Sequence, residues 1–115
     1  MIKTQINLYP IIYNKQYLHY QVLSDHPDKY VECYTILKDT CSIDHQINTL
    51  FEEYFDLDSS YIKFIHLSPS IANKILILPV FCLVPYLVKL KKGHLLSAHT
   101  HATHVPYIRQ ALNII

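Results

Sequence analysis

The chain has 115 residues and a mass of 13.5 kDa, enough for one domain whose core buries about two-thirds of the unfolded surface. Half of the residues are hydrophobic and 17% are charged, which excludes a disordered tail. Ten Lys and Arg against nine Asp and Glu leave no basic excess of the kind a nucleic-acid binder carries.

In chain order, Thr4 to Tyr13 (TQINLYPIIY) is rich in Ile and Tyr without helical spacing and reads as a strand. Asn14-Lys15 turns it into Tyr17 to Leu23, so an antiparallel hairpin is expected, with Pro10 placing the first strand at an edge or a bulge. Ser24 to Asp28 (SDHPD) is a turn, because proline fixes φ and the flanking side chains bond locally. Tyr30 to Leu37 is the third strand.

The period then changes. Ile43, Ile47, Leu50, Phe51 and Tyr54 recur at i, i+4, i+7, i+8 and i+11, which predicts an amphipathic helix over 44–58 capped by Ser42 or Asp44. Tyr61 to Leu67 returns to a strand pattern, and Ser68-Pro69-Ser70 turns. Ile75 to Val84 is apolar on both faces, as a central strand should be. The wider apolar run Ile75 to Val88 spans about 14 residues where a membrane helix needs about 20, and Pro79 and Pro85 interrupt it, so no membrane span is expected. Lys89 to His94 holds the single glycine of the chain, and a polar stretch follows. Thr103 and Pro106 open a short final helix with Val105, Ile108, Ala111, Leu112 and Ile115 on one face. The order βββ–α–ββ–α predicts a mixed α/β (α+β) layer fold, a single domain over residues 1–115.

Three cysteines without C-x-x-C spacing, Cys33, Cys41 and Cys82, suggest reduced thiols. The polar opening Met1-Ile2-Lys3-Thr4-Gln5 does not read as a signal peptide. The expected location is the cytoplasm or another reducing compartment.

Three groups of residues bear on chemistry. Glu52 and Glu53 are adjacent carboxylates opposite the apolar stripe of the helix, the type of pair that holds a hard cation such as Mg²⁺ or Mn²⁺. His94, His99, His101 and His104 form a cluster in sequence. His99 and His101 share a side if the segment is extended, His101 and His104 if it is helical, and imidazoles at either spacing can ligate zinc. A fourth ligand such as Glu52 would have to come from elsewhere. Lys89, Lys91 and Lys92 make a short basic run that fits a solvated strand end. Ten tyrosines could stack on bases, but their strand positions favour packing.

Three strands, a helix ending TLFEEYFDLD, then a strand and ILILPVF resemble the layout of a Nudix domain over residues 4 to 90. FEEYFDLD resembles the end of the Nudix box, and SDHPDKY resembles the approach to it. With the paired glutamates of the family set on Glu52 and Glu53, Leu50 matches the apolar position of the box. Asn48 stands where that family has Arg, Thr49 where it has the first helix Glu, and Thr40 at the upstream Glu. Tyr34 and Phe55 stand at the two Gly positions. The resemblance implies Nudix-like layers and a degenerate box. Two functions follow as expectations. One is a non-catalytic module that binds a protein partner or a second copy of the chain and needs no cofactor. The alternative is a divalent-metal-dependent nucleoside diphosphate-X pyrophosphohydrolase in which Glu52 and Glu53 hold Mg²⁺ or Mn²⁺ and a histidine of 94–104 acts as base.

Overall fold

A twelve-residue strand, β1 (Lys3–Asn14), is the spine of the molecule. The computed structural model describes residues 2–16 and 18–115. Six further strands join β1 in a mixed sheet: β2 (His19–Ser24), β3 (Cys33–Ile36), β4 (Phe64–His66), β5 (Ser70–Ala72), β6 (Ile75–Val84) and β7 (His94–Ser97). Along one side β1 runs parallel to the full length of β6, from Lys3 opposite Ile75 to Ile12 opposite Val84. Along the other side it forks. Gln5 to Leu8 pair with β3, and Ile11 to Asn14 pair with β2, both antiparallel. β7 extends the sheet beyond β2, while β4 and β5 both pair with β6.

The fork corrects the expectation for Pro10. It stands in a central strand rather than at an edge or bulge, between the β3-paired and β2-paired segments. A proline is tolerated there because neither strand is paired opposite it on that side.

The helices cover the two faces of the sheet separately. α1 (Ile43–Tyr54) begins where Ser42 Oγ accepts from the His45 amide at 3.1 Å and lays Ile47, Leu50, Phe51 and Tyr54 on one face. Beneath it lie Ile6, Leu8 and Ile12 of β1 and Val80, Cys82 and Val84 of β6. A short turn, α2 (Ala98–His101), and α3 (Pro106–Ile114) cover the opposite face, with Ile108 and Ala111 packed over Tyr9, Ile11 and Phe81. The alternation of these residues along β1 and β6 is the period-two pleat of a strand covered on both sides.

Several predicted boundaries move. The first helix covers Ile43–Tyr54 rather than 44–58, because Phe55 leaves it in extended conformation. The third strand shrinks to Cys33–Ile36, and the Tyr61–Leu67 strand to Phe64–His66 behind a 3₁₀ turn at Ser59–Tyr61. Tyr17, the expected start of the second strand, lies outside the described residues. Two strands were not expected. Ser70–Ala72 pairs back onto β6 through a two-residue turn in which Asn73 and Lys74 both have positive φ, the conformation that closes tight hairpins. His94–Ser97, expected as the start of a polar stretch, is β7. In the last helix Pro106 holds the first position, Val105 is the cap residue, and Ile115 is exposed rather than on the buried face. No helix among the described residues is long and apolar enough to cross a membrane.

Candidate functional site

Two regions gather polar side chains around this framework, one on each face of the sheet. The first lies along the outer side of α1. Thr35 from β3, Lys38 and Cys41 from the connection, and His45, Thr49 and Glu53 from successive turns of α1 line a cavity of about 190 Å³. The i, i+4 spacing of these three helix residues puts them on one side. Gln46 is buried behind them and ties the helix to the strand. Its Nε2 donates to Ile36 O at 3.1 Å, and its Oε1 accepts from the Lys38 amide at 2.7 Å.

The paired glutamates point to different places. Glu52 Oε2 accepts from the Ser59 amide at 2.9 Å, on a shallow hollow it shares with Asp56, Leu57, Asp58 and Lys91. Glu53 faces the cavity and meets Lys92 Nζ at 3.4 Å, with both side chains about half exposed. Lys92 also lies over the Tyr54 ring at 4.7 Å. Asp58 caps the 3₁₀ turn, and the bonds it accepts from Ser60 hold its carboxyl below the usual range.

The histidines are elsewhere. His94 begins β7, His99 and His101 lie on α2, and His104 follows in the turn. At about 100° per residue, His99 and His101 project roughly 200° apart on that turn. α2 packs on the α3 face through Ala98, so the sheet separates it from Glu52 and Glu53. Among the described residues no three His, Cys, Asp or Glu side chains come together in a way that could hold a metal ion.

The cysteines are free thiols. Cys33 and Cys82 are buried, and burial pushes the Cys33 thiol up to about 12, with the nearby Asp25 carboxylate adding to the shift. Tyr54 donates to Asp25 Oδ2 at 3.1 Å beside it, which fastens the 25–31 loop to α1.

The second region was not singled out in the sequence. On the α3 face, Gln5, Asn7 and Tyr9 stand in a row along β1, and Glu32 reaches them from just before β3. Asn7, fully buried, donates from Nδ2 to Glu32 Oε2 at 2.9 Å and to the Tyr9 hydroxyl at 3.1 Å. Tyr9 donates to Glu32 Oε1 at 3.3 Å, and Gln5 Nε2 donates to Asn7 Oδ1 at 2.7 Å. Burial raises the Tyr9 and Tyr30 hydroxyls well above the ordinary tyrosine range, with Glu32 adding to both. Tyr107, at the start of α3, packs on Tyr9 with ring centroids 5.4 Å apart and bonds Ser70 Oγ through its hydroxyl. Beyond Tyr107 the face is uncovered. Tyr34 and Ile36, opposite Asn7 and Gln5, are 53% and 42% exposed. The available signal was the alternation Gln5-x-Asn7-x-Tyr9, a polar row on one side of an otherwise apolar strand.

No family model matches the sequence, and no curated protein is significantly similar to it. Solved structures do match. The NUDIX domain of Shewanella oneidensis NrtR, crystallised in complex with ADP ribose, superposes with a TM-score of 0.66 over 99% of this chain and 88% of that one, at 14% identity. A MutT/nudix family protein from Enterococcus faecalis superposes with a TM-score of 0.65 over 84% of this chain, at 11% identity. The match spans 44% of the Enterococcus protein's length. The fold is Nudix-like.

The positions that the sequence resemblance set against the Nudix box lie on α1 and just after it. Thr49 and Glu53 share the cavity, while Glu52 turns to the Ser59 amide. Phe55, which the resemblance set against the second Gly of the box, is fully buried and stacked on Phe51 at 4.8 Å. That aromatic belongs to the core beneath the helix.

Proposed function

We propose that this chain is a non-catalytic binding module that holds a nucleotide-type small molecule on the uncovered half of its Nudix-like sheet. The observation that carries this reading is the exposed pair Tyr34 and Ile36 beside the ordered polar row Gln5–Asn7–Glu32. Aromatic side chains supply contact and a few fixed polar groups supply orientation in small-molecule sites. A Nudix-like neighbour crystallised with ADP ribose supports the ligand class.

The α1 side supports hydrolysis less well. A divalent cation such as Mg²⁺ or Mn²⁺ needs several oxygen ligands at one point. The cavity there contains one carboxylate, Glu53, beside Lys38, and Glu52 is engaged with the Ser59 amide. This donor set does not fit such an ion, so no hydrolytic step is assigned to it.

Calorimetric titration with ADP-ribose, with and without Mg²⁺, combined with chromatography of the product mixture, tests the reading. The expected result is saturable binding in both conditions with the ligand recovered intact. Metal-dependent release of AMP that Glu53→Gln abolishes would overturn the reading in favour of a hydrolase. Self-association that Tyr34→Ser abolishes, without nucleotide binding, would overturn it in favour of an assembly module.

A further inference from the structure

The polar row on the α3 face has a direction. Glu32 as a carboxylate can only accept hydrogen bonds. Asn7 must therefore turn its amide nitrogen toward Glu32, where both of its hydrogens are used, on Glu32 Oε2 and the Tyr9 hydroxyl. That leaves Asn7 Oδ1 facing Gln5, and Gln5 in turn must present its nitrogen to it. The orientation set by Glu32 is thus passed along β1 to Gln5. Its carbonyl oxygen and second amide hydrogen take no part in the row and are left for a ligand.

A carboxamide with an acceptor and a donor side by side matches the edge of adenine, where an exocyclic N–H adjoins a ring nitrogen acceptor. Tyr34 is diagonal to Gln5 on the neighbouring strand and the same face, and its exposed ring offers the flat surface a base needs. Charge supplies the polarity of the whole ligand. Lys3 stands two residues beyond Gln5 on the same face, next to Lys74, whose carbonyl accepts from the Lys3 amide at 3.2 Å. Glu32 stands at the opposite end of the row. An anionic tail is drawn toward the lysines and repelled by Glu32, which leaves the base end over Gln5.

We propose that Gln5 reads the edge of an adenine base stacked on Tyr34, with Glu32 and Asn7 acting as positioning residues that set which way the Gln5 amide faces. This rests on the binding-module reading above and adds the base and the residue that selects it.

Affinities for ADP and GDP, measured by calorimetry on the intact chain and its variants, test it. Wild type should bind ADP in preference to GDP. Gln5→Glu should weaken ADP by about tenfold or more and shift preference toward GDP, because an acceptor-only side chain matches the two adjacent donors of guanine. Tyr34→Ala, at an exposed position, should leave the melting temperature unchanged and weaken both nucleotides by about tenfold. Glu32→Gln should reduce the ADP-to-GDP ratio while retaining binding, an effect that loss of packing alone would not produce. If wild type binds ADP while Gln5→Glu and Tyr34→Ala both leave the affinity and the ratio unchanged, this proposal is overturned and the binding module stands. If wild type binds neither nucleotide, both fall.

Discussion

The two faces of the sheet are built on different principles, although both are made by the same strands. Under α1 the residues of β1 and β6 are Ile, Leu, Val and Cys, and they meet Ile47, Leu50, Phe51 and Tyr54 in a continuous apolar contact. Fully burying each such side chain is worth roughly 1.5–3 kcal/mol, so this face supplies much of the driving force for folding. The other face is packed with apolar side chains under α2 and α3. Beyond Tyr107 it gives way to hydrogen-bonded side chains and then to open surface. Packing determines the first face. On the second, a buried asparagine has to find its partners, and its amide has only one orientation that satisfies them all. A face of that kind costs stability to build, and its return is direction.

Phe51→Ala should give the largest loss, ~3–5 kcal/mol, since Phe51 is fully buried between Phe55 and Phe64 and leaves a cavity behind. The shift of the urea midpoint measures it. A loss below that of Asn7→Ala would break the assignment of the α1 face as the main apolar core. Asn7→Ala should cost about 2–3 kcal/mol, because Glu32, Tyr9 and Gln5 each lose a partner in a buried setting. Amide exchange at Gln5 and Tyr34 should rise along with it. A neutral result would show that the polar row is solvated and carries no fixed order.

A pH dependence sharpens the view of the α1 face. The folded protein keeps the Cys33 proton up to about pH 12, against an ordinary value of 9.0. Above pH 9 the unfolded chain releases a proton that the folded chain retains. The stability present below that pH is therefore lost progressively up to about pH 12, at no more than ~1.4 kcal/mol per pH unit for each such group. Urea midpoints should fall steadily above about pH 9, and Cys33→Ala should flatten part of the slope. An unchanged midpoint would place the thiol in solvent.

The same contrast explains what was legible in the sequence. α1 was readable because Ile47, Leu50, Phe51 and Tyr54 repeat with the helical period and all face one core. β6 was readable as an apolar run because its central residues pack on both faces, Val80 and Cys82 under α1 and Phe81 under α3. β7 was not, since in its four residues only Leu95 and Leu96 are apolar and they pack on opposite faces of the sheet. β5 is three residues long and depends on a lysine at positive φ, which is no turn signal. On the candidate sites, Glu52 and Glu53 drew attention by being adjacent, yet neighbours on a helix point about 100° apart and here reach different groups. The row Gln5–Asn7–Glu32 joins residues on two strands, and its meaning lies in hydrogen-bond partners that no spacing along the chain displays.

Gln46 has one further consequence. Its side chain takes the carbonyl of Ile36 and the amide of Lys38, two outward groups that would otherwise invite another strand to pair along β3. An unpaired strand border is a template for runaway pairing between chains. Here a single carboxamide from the neighbouring helix serves as a stopper, so that the sheet ends at β3 by hydrogen bonding rather than by charge or proline.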